Sequence, residues 1–284
     1  MKKLTTLSNS DAFDGKVKNG FPVGKGTYYY HSNENSIIKE GSFKTGKFKL
    51  DKEGKLIFEG KGKLIYDAGE YEGDIYCHFK HGKGVYKFNN GIYYEGGFKN
   101  DIFDDLKGKI VLPDGSKYVG PFINGQRTGT GEFFYANGDH FIGEFVDGVI
   151  TGEGVLTMHD GSCYSGDFVN GAYEGHGEYV FANGNRYVGE FKNNTRTGKG
   201  TFYYYTGKIF EGNFENNEWK GKGKFIYEDK TYLTGDFDGF NSKLVERYYN
   251  ENSKGFGYFI NGEYIEVTRS TTDPDALSKA LRKK

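Results

Sequence analysis

The residues with the most obvious capacity for chemistry are a cysteine and two histidines that lie close together in the first third of the chain. Cys77, His78 and His81 are residue types that bind zinc. A metal site needs its donors to converge on one point, and adjacent strand residues point to opposite faces, so Cys77 and His78 would be directed apart. We therefore expect no metal site here and no bound cofactor.

Two Gly-Lys-Gly segments share part of the composition of a phosphate-binding loop. They begin at Gly82 and Gly198, and neither follows the G-x-x-x-x-G-K-[ST] spacing that cradles phosphate. The six histidines form no Ser/His/Asp arrangement that the sequence can assign. Catalysis needs one asymmetric set of groups, whereas both glycine segments recur at equivalent places in a repeating pattern. We expect a protein that is not an enzyme.

The composition favours strands over helices. The chain has 45 glycines, 24 tyrosines and 25 phenylalanines in 284 residues, and only 4 prolines. Aromatic residues favour strands, and the helix formers Ala and Leu are scarce. The 38 basic and 39 acidic residues nearly cancel, which argues against nucleic acid as a partner. Two cysteines and no apolar leader or membrane-length run predict a cytoplasmic protein.

A period of 23 residues, with one step of 24, organises the sequence. Each unit opens with the pattern aromatic-x-Gly-x-apolar and carries a Gly-x-Gly about eleven residues later, as in Gly175 and Gly177. Two looser copies, at Phe13 and Lys39, precede the regular ones, so we count about ten repeats. The regular copies begin at Tyr71, Tyr94, Tyr118, Phe141, Tyr164, Tyr187, Phe210 and Leu233.

Each repeat is predicted to form two antiparallel strands. In residues 164–186 the alternation of large and small side chains predicts a strand over 164–168, a loop over 169–177, a second strand over 178–181 and a tight turn at 182–184. Gly166 lies on the same strand face as Tyr164, and we expect a ring from a neighbouring strand to fill the space that the missing side chain leaves. The architecture predicted is an elongated single-layer array of β-hairpins.

Departures from the pattern mark the domain boundaries. In the repeat that starts at Tyr94, Leu106 replaces a loop glycine, so this repeat should be irregular. After Leu233 the Gly-x-Gly is delayed to Gly255, which predicts a long excursion or a short helix. The predicted segments are a lead-in (1–12), two divergent repeats (13–70), seven regular repeats (71–232), a divergent terminal repeat (233–262) and a tail (263–284).

The repeated pattern resembles the MORN (membrane occupation and recognition nexus) repeat. The segments YEGDIYCHFKHGKGVYKFNNG, residues 71–91, and YVGEFKNNTRTGKGTFYYYTG, residues 187–207, are most similar to it, and the resemblance covers roughly residues 13–262. It implies a rod of β-hairpins with a groove on one face, and a scaffold that links cytoskeletal, ciliary or membrane-associated components. It also implies partner peptides in the groove and, for some members, self-association into a homodimer.

An aromatic ladder is the predicted binding groove. Most of its rings should be core, but a single layer cannot cover both of its faces, so some rings should remain accessible to a helical or extended protein segment. We therefore expect a scaffold or adaptor whose groove contacts a protein partner. The predicted groove residues are Tyr118, Phe122, Phe141, Phe145, Tyr164, Phe168, Tyr187, Phe191, Phe210 and Phe214.

The end of the chain supports an alternative function. Asp273 and Pro274 favour the start of a helix, and the apolar spacing that follows predicts a short C-terminal helix. Its cluster of basic residues would contact an anionic surface, and together with loop lysines it would tether the protein to phospholipid, although only weakly. A frayed helix, or one that caps the groove or the end strand, is the other interpretation. The basic residues are Lys279, Arg282, Lys283 and Lys284.

Overall fold

The computed structural model describes residues 5–7, 11–31, 38–53 and 56–267, and every regular element in these ranges is a β-strand. The strands form antiparallel hairpins, which confirms the predicted all-β class. Contacts divide the chain into two compact units, Met1–Val149 and Ile150–Lys284. The helix predicted in the C-terminal tail lies outside the described residues.

The strands of each unit follow one another along the chain. The first unit contains β1 Thr5–Thr6, β2 Ala12–Lys18, β3 Phe21–His31, β4 Ile38–Leu50, β5 Leu56–Tyr66, β6 Gly69–Tyr76, β7 Phe79–Phe88, β8 Tyr93–Lys99, β9 Ile102–Phe103, β10 Asp105–Val111, β11 Lys117–Ile123, β12 Gln126–Arg127, β13 Gly129–Phe134 and β14 His140–Val146. The second unit contains β15 Val149–Thr157, which begins at the unit boundary, β16 Cys163–Val169, β17 Ala172–Val180, β18 Arg186–Lys192, β19 Thr195–Tyr203, β20 Ile209–Glu215, β21 Glu218–Ile226, β22 Tyr232–Asp238, β23 Asn241–Asn250, β24 Ser253–Ile260 and β25 Glu263–Glu266.

The first turn of each repeat is shorter than the sequence predicts. Between β16 and β17, Asn170 and Gly171 have φ angles of 52° and 78°, so they form a two-residue turn of type I′. The predicted loop over 169–177 is wrong, because β17 begins at Ala172 and the following Gly175 only bulges the strand. The bulge keeps two extra residues of β17, Gly175 and His176, in the sheet between the pairs Asp167–Glu174 and Gly166–Gly177.

The second turn of the repeat is confirmed. The Phe181 amide donates to the Asn185 carbonyl at 2.9 Å, and the Gly184 amide donates to the Phe181 carbonyl at 2.9 Å. With Gly184 at a φ of 84°, this is a three-residue hairpin loop that ends in a left-handed residue. Tight turns at both ends of the strands leave little room for loops, so any site must lie on the two sheet faces.

Replacing Gly171 by valine tests the type I′ turn. A β-branched residue at positive φ should destabilise the second unit by about 1–2 kcal/mol. Gly171→Asn should cost less, because asparagine tolerates this conformation and the chain itself places Asn194 (φ 65°) and Asn217 (φ 71°) at the equivalent turn position. The free energy of urea unfolding, measured for both variants, tests this assignment. An equal loss of stability in the two variants would contradict the type I′ turn.

The core of each repeat is one ring laid over two glycines. The Tyr187 ring covers Gly189, two residues further along β18, and Gly200, the residue paired with Gly189 on β19. A Cβ atom added to Gly200 would lie 2.5 Å from Cε2 and 2.6 Å from Cζ of that ring. Glycine therefore makes space for a ring, as predicted, but the ring comes from the same strand and not from a neighbouring one.

A second layer of side chains covers these rings, and the sequence analysis did not predict it. In several repeats the residue nine positions after the ring lies over that ring: Tyr173 stacks on Tyr164 with centroids 3.8 Å apart. The equivalent residue of a later repeat, Trp219, stacks on Phe210 at 4.1 Å and an interplanar angle of 3°. In the repeat between them this position holds Arg196.

The two irregular regions have different outcomes. The repeat that starts at Tyr94 is irregular as predicted, since its second strand is split into β9 and β10 and its register shifts between Asp105 and Gly108. The excursion or helix predicted after Leu233 is wrong. Residues 241–250 form β23, which pairs with β22 and β24, so the hairpin pattern continues to β25. Val245 and Arg247 are two residues apart and lie on the same face of β23, as expected for a strand.

Candidate partner-binding surface

Directly paired residues define one face of the second unit, which we call the ring face. Residues opposite each other in an antiparallel pair share a face. The pairs Tyr187–Phe202, Phe202–Phe210, Phe210–Phe225, Phe225–Leu233 and Leu233–Arg247 run across β18 to β23. The core rings, their covering residues and Arg247 therefore all lie on the ring face.

The ten rings predicted to line the groove lie inside the protein. Each is at most 4% exposed. Glycines lie beneath rings such as Tyr187, and second-layer side chains such as Trp219 cover others. The ladder is predicted to be mostly core with some rings accessible, and all ten of these rings are core. A partner could touch half-buried side chains around them, such as Tyr173 and Tyr204, whereas Trp219 is itself only 4% exposed. Contact of the ten rings with a partner stays a prediction. The ten are Tyr118, Phe122, Phe141, Phe145, Tyr164, Phe168, Tyr187, Phe191, Phe210 and Phe214.

The guanidinium of Arg196 is enclosed by rings. Its Cζ atom lies 5.3 Å from the Phe202 ring centroid, 5.5 Å from that of Phe181 and 5.6 Å from that of Tyr187. Its Nε donates to Oδ1 of Asn217 at 3.2 Å and its Nη2 to the Asn217 carbonyl at 2.9 Å. Burial lowers the pKa of this guanidinium, which shows that the cation is partly desolvated.

Arg247 repeats this arrangement on β23. Its Cζ lies 4.9 Å from the Tyr227 centroid, 5.1 Å from that of Tyr249 and 5.1 Å from that of Tyr264. Its Nε is buried and has no hydrogen-bond partner within the part of the chain that the structure describes. Among the described residues, neither Arg196 nor Arg247 has a carboxylate within ion-pair distance. The ring face therefore combines aromatic surface with positive charge.

The first unit also places basic residues nine positions after a core ring. Arg127 lies 5.6 Å from the Tyr118 centroid, and its Nη2 donates to the Gly148 carbonyl at 2.7 Å. Lys80 lies 4.4 Å from the Tyr66 centroid, but its Nζ pairs with Oδ1 of Asp101 at 2.8 Å. Aligning the repeats at this position is the signal that would have revealed these residues from sequence.

Buried tyrosines give the ring face a pH dependence. Burial raises the pKa of Tyr187 to about 12, and its hydroxyl donates to the Glu190 carbonyl at 3.1 Å. Burial also raises the pKa of Tyr204, although the nearby Arg196 opposes this effect. The unfolded chain loses these protons near pH 10. A raised pKa in the folded state therefore contributes stability that is complete below pH 10 and is lost as pH rises toward 12.

We expect the urea midpoint to be level from pH 8 to 9 and to fall between pH 10 and 12. The decline should be smaller in Tyr187→Phe, which has no phenol to ionise at this position. Unfolding curves of both proteins at matched pH values test this expectation. The same decline in both would show that Tyr187 does not contribute to it.

Carboxylates on the opposite face serve the fold. Asp167 accepts a hydrogen bond through Oδ2 from the His176 amide at 3.1 Å, and Glu190 accepts through Oε1 from the Lys199 amide at 3.3 Å. These amides follow the bulge glycines, where the extra residues leave a backbone donor without a sheet partner. We call this side of the second unit the polar face.

The cysteine and histidines singled out in the sequence lie around one hairpin. Cys77 and His78 have φ angles of 47° and 74° and form the turn between β6 and β7, so strand alternation does not apply to them. His78 hydrogen-bonds through Nδ1 with the Tyr30 hydroxyl. Cys77 and Cys163 are free thiols. Within the described ranges, no group of three or more His, Cys, Asp or Glu residues could hold a metal ion.

The membrane-binding alternative rests on residues that the structure does not describe. Lys279, Arg282, Lys283 and Lys284 lie beyond residue 267, so their contact with an anionic surface stays a prediction. In the described part of the chain, no helix has the length and apolar character needed to span a membrane.

Comparisons with known proteins identify the repeat. The model of the MORN repeat matches residues 13–34, 71–93, 118–140, 141–163, 164–186, 187–209 and 210–232, which together exceed half of the chain. The two stretches between the first three matches include the second divergent copy and the irregular repeat. No sequence match to a curated protein was found.

Similar solved structures include the TCP domain of Drosophila melanogaster SAS-4 (dCPAP) in complex with a proline-rich motif of Ana2. Its sequence is 13% identical to this chain. The alignment covers 60% of this chain and 85% of that domain, with a TM-score of 0.32. The TCP10 domain of Danio rerio CPAP in complex with a STIL peptide is 14% identical, with 78% and 97% covered and a TM-score of 0.29. These scores are too low to support an inference.

Proposed function

The chain belongs to the MORN repeat family, and from its ring face we propose that it is a scaffold that binds a protein segment across the half-buried aromatic side chains of that face. The single observation that carries this proposal is the half-buried aromatic strip on the ring face of the second unit. Tyr204 lies 4.7 Å from Phe202 and 6.3 Å from Phe225, measured between ring centroids. The equivalent residues of the neighbouring repeats, Phe181 and Tyr227, likewise lie 5.6 Å from Phe202 and 5.1 Å from Phe225. Contiguous apolar surface on a rigid sheet is typical of protein-binding sites.

Phe240 gives this surface an exposed anchor. Its side chain is 53% exposed, and its ring centroid lies 4.8 Å from that of Trp219 on the ring face. Large aromatic side chains that a partner can cover account for much of the binding energy in typical interfaces. A helical or extended segment that lies on the strip would bury Phe240 together with the edges of the half-buried rings. The cytoskeletal, ciliary or membrane-cortex location belongs to the same proposal and follows from family membership alone.

Affinity capture from the native cell tests the function with two matched variants. Phe240→Ser changes the ring face, whereas Phe256→Ser changes the polar face, where Phe256 is 45% exposed beside the register pair Val245–Gly257. We expect Phe240→Ser to lose most of the companions identified by mass spectrometry and Phe256→Ser to keep them. Equal recovery of companions with both variants would show that the ring face does not bind them.

A further inference from the structure

Arg196 occupies a position where the fold accepts an aromatic side chain. The equivalent residues of the preceding and following repeats are Tyr173 and Trp219, and both cover a core ring by stacking. Packing alone therefore does not require a cation at this position. Placing a guanidinium among rings costs desolvation free energy that an aromatic residue would avoid. This cost indicates a role for the charge beyond the core of the sheet.

The unused part of the Arg196 guanidinium faces solvent. Nε and Nη2 donate to Asn217, which fixes the orientation of the fork. Nη1 has no hydrogen bond among the described residues, and it is not one of the buried atoms that lack a partner. A planar guanidinium held in place, with one edge free and apolar rings around it, is suited to binding a carboxylate.

We infer that the ring face of the second unit recognises an acidic, apolar protein segment, in which an Asp or Glu carboxylate binds Nη1 of Arg196 and neighbouring apolar side chains pack on Phe181, Tyr204 and Phe240. This inference rests on the proposed function and specifies the chemistry of its partner. The argument for this occupant is charge complementarity, because the described residues supply no ion-pair partner to either ring-face arginine.

Arg247 provides a second anchoring point on the same face. It lies on β23, four strands from β19, so the two strands are about 19 Å apart at the usual strand spacing. About six residues of extended chain span this distance. Because alternate residues of an extended chain share a face, a segment with two acidic residues six positions apart and apolar residues two and four positions after the first directs all four side chains to the ring face. Its carboxylates would bind the two arginines, and its apolar side chains would contact the rings between them.

Intrinsic fluorescence provides the test, since Trp219 is the single tryptophan of the chain and lies on the ring face. The probes are three peptides of about 12 residues, long enough to span both arginines. On one face of each peptide Leu occupies every second position except for two positions six residues apart, which hold Asp, its neutral isostere Asn, or Lys, and serine occupies the other face. We call these the Leu-Asp, Leu-Asn and Leu-Lys peptides. We expect the Leu-Asp peptide to bind the full-length protein about tenfold more tightly than the Leu-Asn peptide, as for a charge-assisted hydrogen bond.

One arginine substitution on each face shows whether the dependence of peptide affinity on charge arises at the ring face. Arg196→Gln should weaken the Leu-Asp peptide about tenfold and leave the Leu-Asn peptide unchanged. Arg186→Gln is the matched control, because Arg186 pairs with Glu178 at 2.9 Å and stacks on Tyr203, away from the ring face. If Arg196→Gln does not fold, as judged by circular dichroism, Arg196→Lys keeps the charge but not the fork and should give a smaller loss.

Four results with these peptides and with vesicles would overturn the inference. They are no binding of the Leu-Asp peptide, equal affinity for the Leu-Asp and Leu-Asn peptides, preference for the Leu-Lys peptide, and stronger Arg196-dependent binding to phosphatidylserine vesicles than to the Leu-Asp peptide. A rise in Leu-Asp affinity after removal of residues 268–284 would show that the protein's own tail is the occupant, and this too overturns a separate partner. If the Phe240→Ser capture result holds in any of these cases, the proposed function survives with a partner of different chemistry.

Discussion

Phe210→Ala should destabilise the protein by about 3–5 kcal/mol, the usual cost of removing a buried ring. Phe210 is fully buried and supports three other rings. Trp219 stacks on it at 4.1 Å, and Phe214 and Phe237 meet it edge to face at 5.6 Å and 5.3 Å. Alanine would leave a cavity beneath the Trp219 indole, which the short strands on either side cannot close.

The free energy of urea unfolding, followed by circular dichroism, measures this cost. Tyr205→Ala is the control, because Tyr205 is 73% exposed in a turn five residues away, and its loss should change stability by no more than about 0.5 kcal/mol. Similar free energies for Phe210→Ala and Tyr205→Ala would mean that the ring layer contributes little to the stability of the second unit.

Gly200→Ala should also destabilise the second unit, even though the same change often stabilises proteins. Gly200 does not have a positive φ, so alanine fits its backbone and would by itself add about 0.4–1 kcal/mol through reduced entropy of the unfolded chain. The new Cβ atom would lie within 2.6 Å of the Tyr187 ring, and the ring is fixed between two strands. Overpacking of this kind costs about 1–3 kcal/mol, so we expect net destabilisation.

A double-mutant cycle separates the steric clash from a backbone effect. In the Tyr187→Ala background the ring is gone, so Gly200→Ala should cost nothing or stabilise slightly. Tyr187→Ala lowers stability on its own by several kcal/mol, so all four proteins are compared by urea unfolding at low temperature. If Gly200→Ala costs the same with and without the ring, the glycine does not serve to accommodate Tyr187.

The hairpin fold was predictable because every repeat carries the same residue pattern. Alternation of rings and small residues predicts strands, and the period of 23 residues predicts one hairpin per repeat. The extent of the first loop was not predictable in the same way. Gly175 looks like a loop residue in sequence, yet in the structure it is a bulge inside β17 whose neighbouring amide is bonded by Asp167.

The accessible surface was harder to predict than the core. Periodicity identifies Tyr187 and Phe191 as face-sharing residues, but it does not show that a residue nine positions later folds back to cover them. That cover depends on the two-residue turn, which returns Arg196 to the position opposite Phe191. The surface that we propose for partner binding therefore consists of half-buried side chains around the core rings and not of the core rings themselves. The same mechanism places the aromatic side chain of Trp219 over Phe210.

The most direct test of the account is photo-cross-linking in the native cell. Benzoylphenylalanine in place of Phe240 keeps an aromatic side chain on the ring face, and the same replacement of Phe256 keeps one on the polar face. The account predicts covalent capture of a protein partner from position 240 and little or none from position 256. Capture from position 256 alone would contradict the assignment of the ring face as the binding surface.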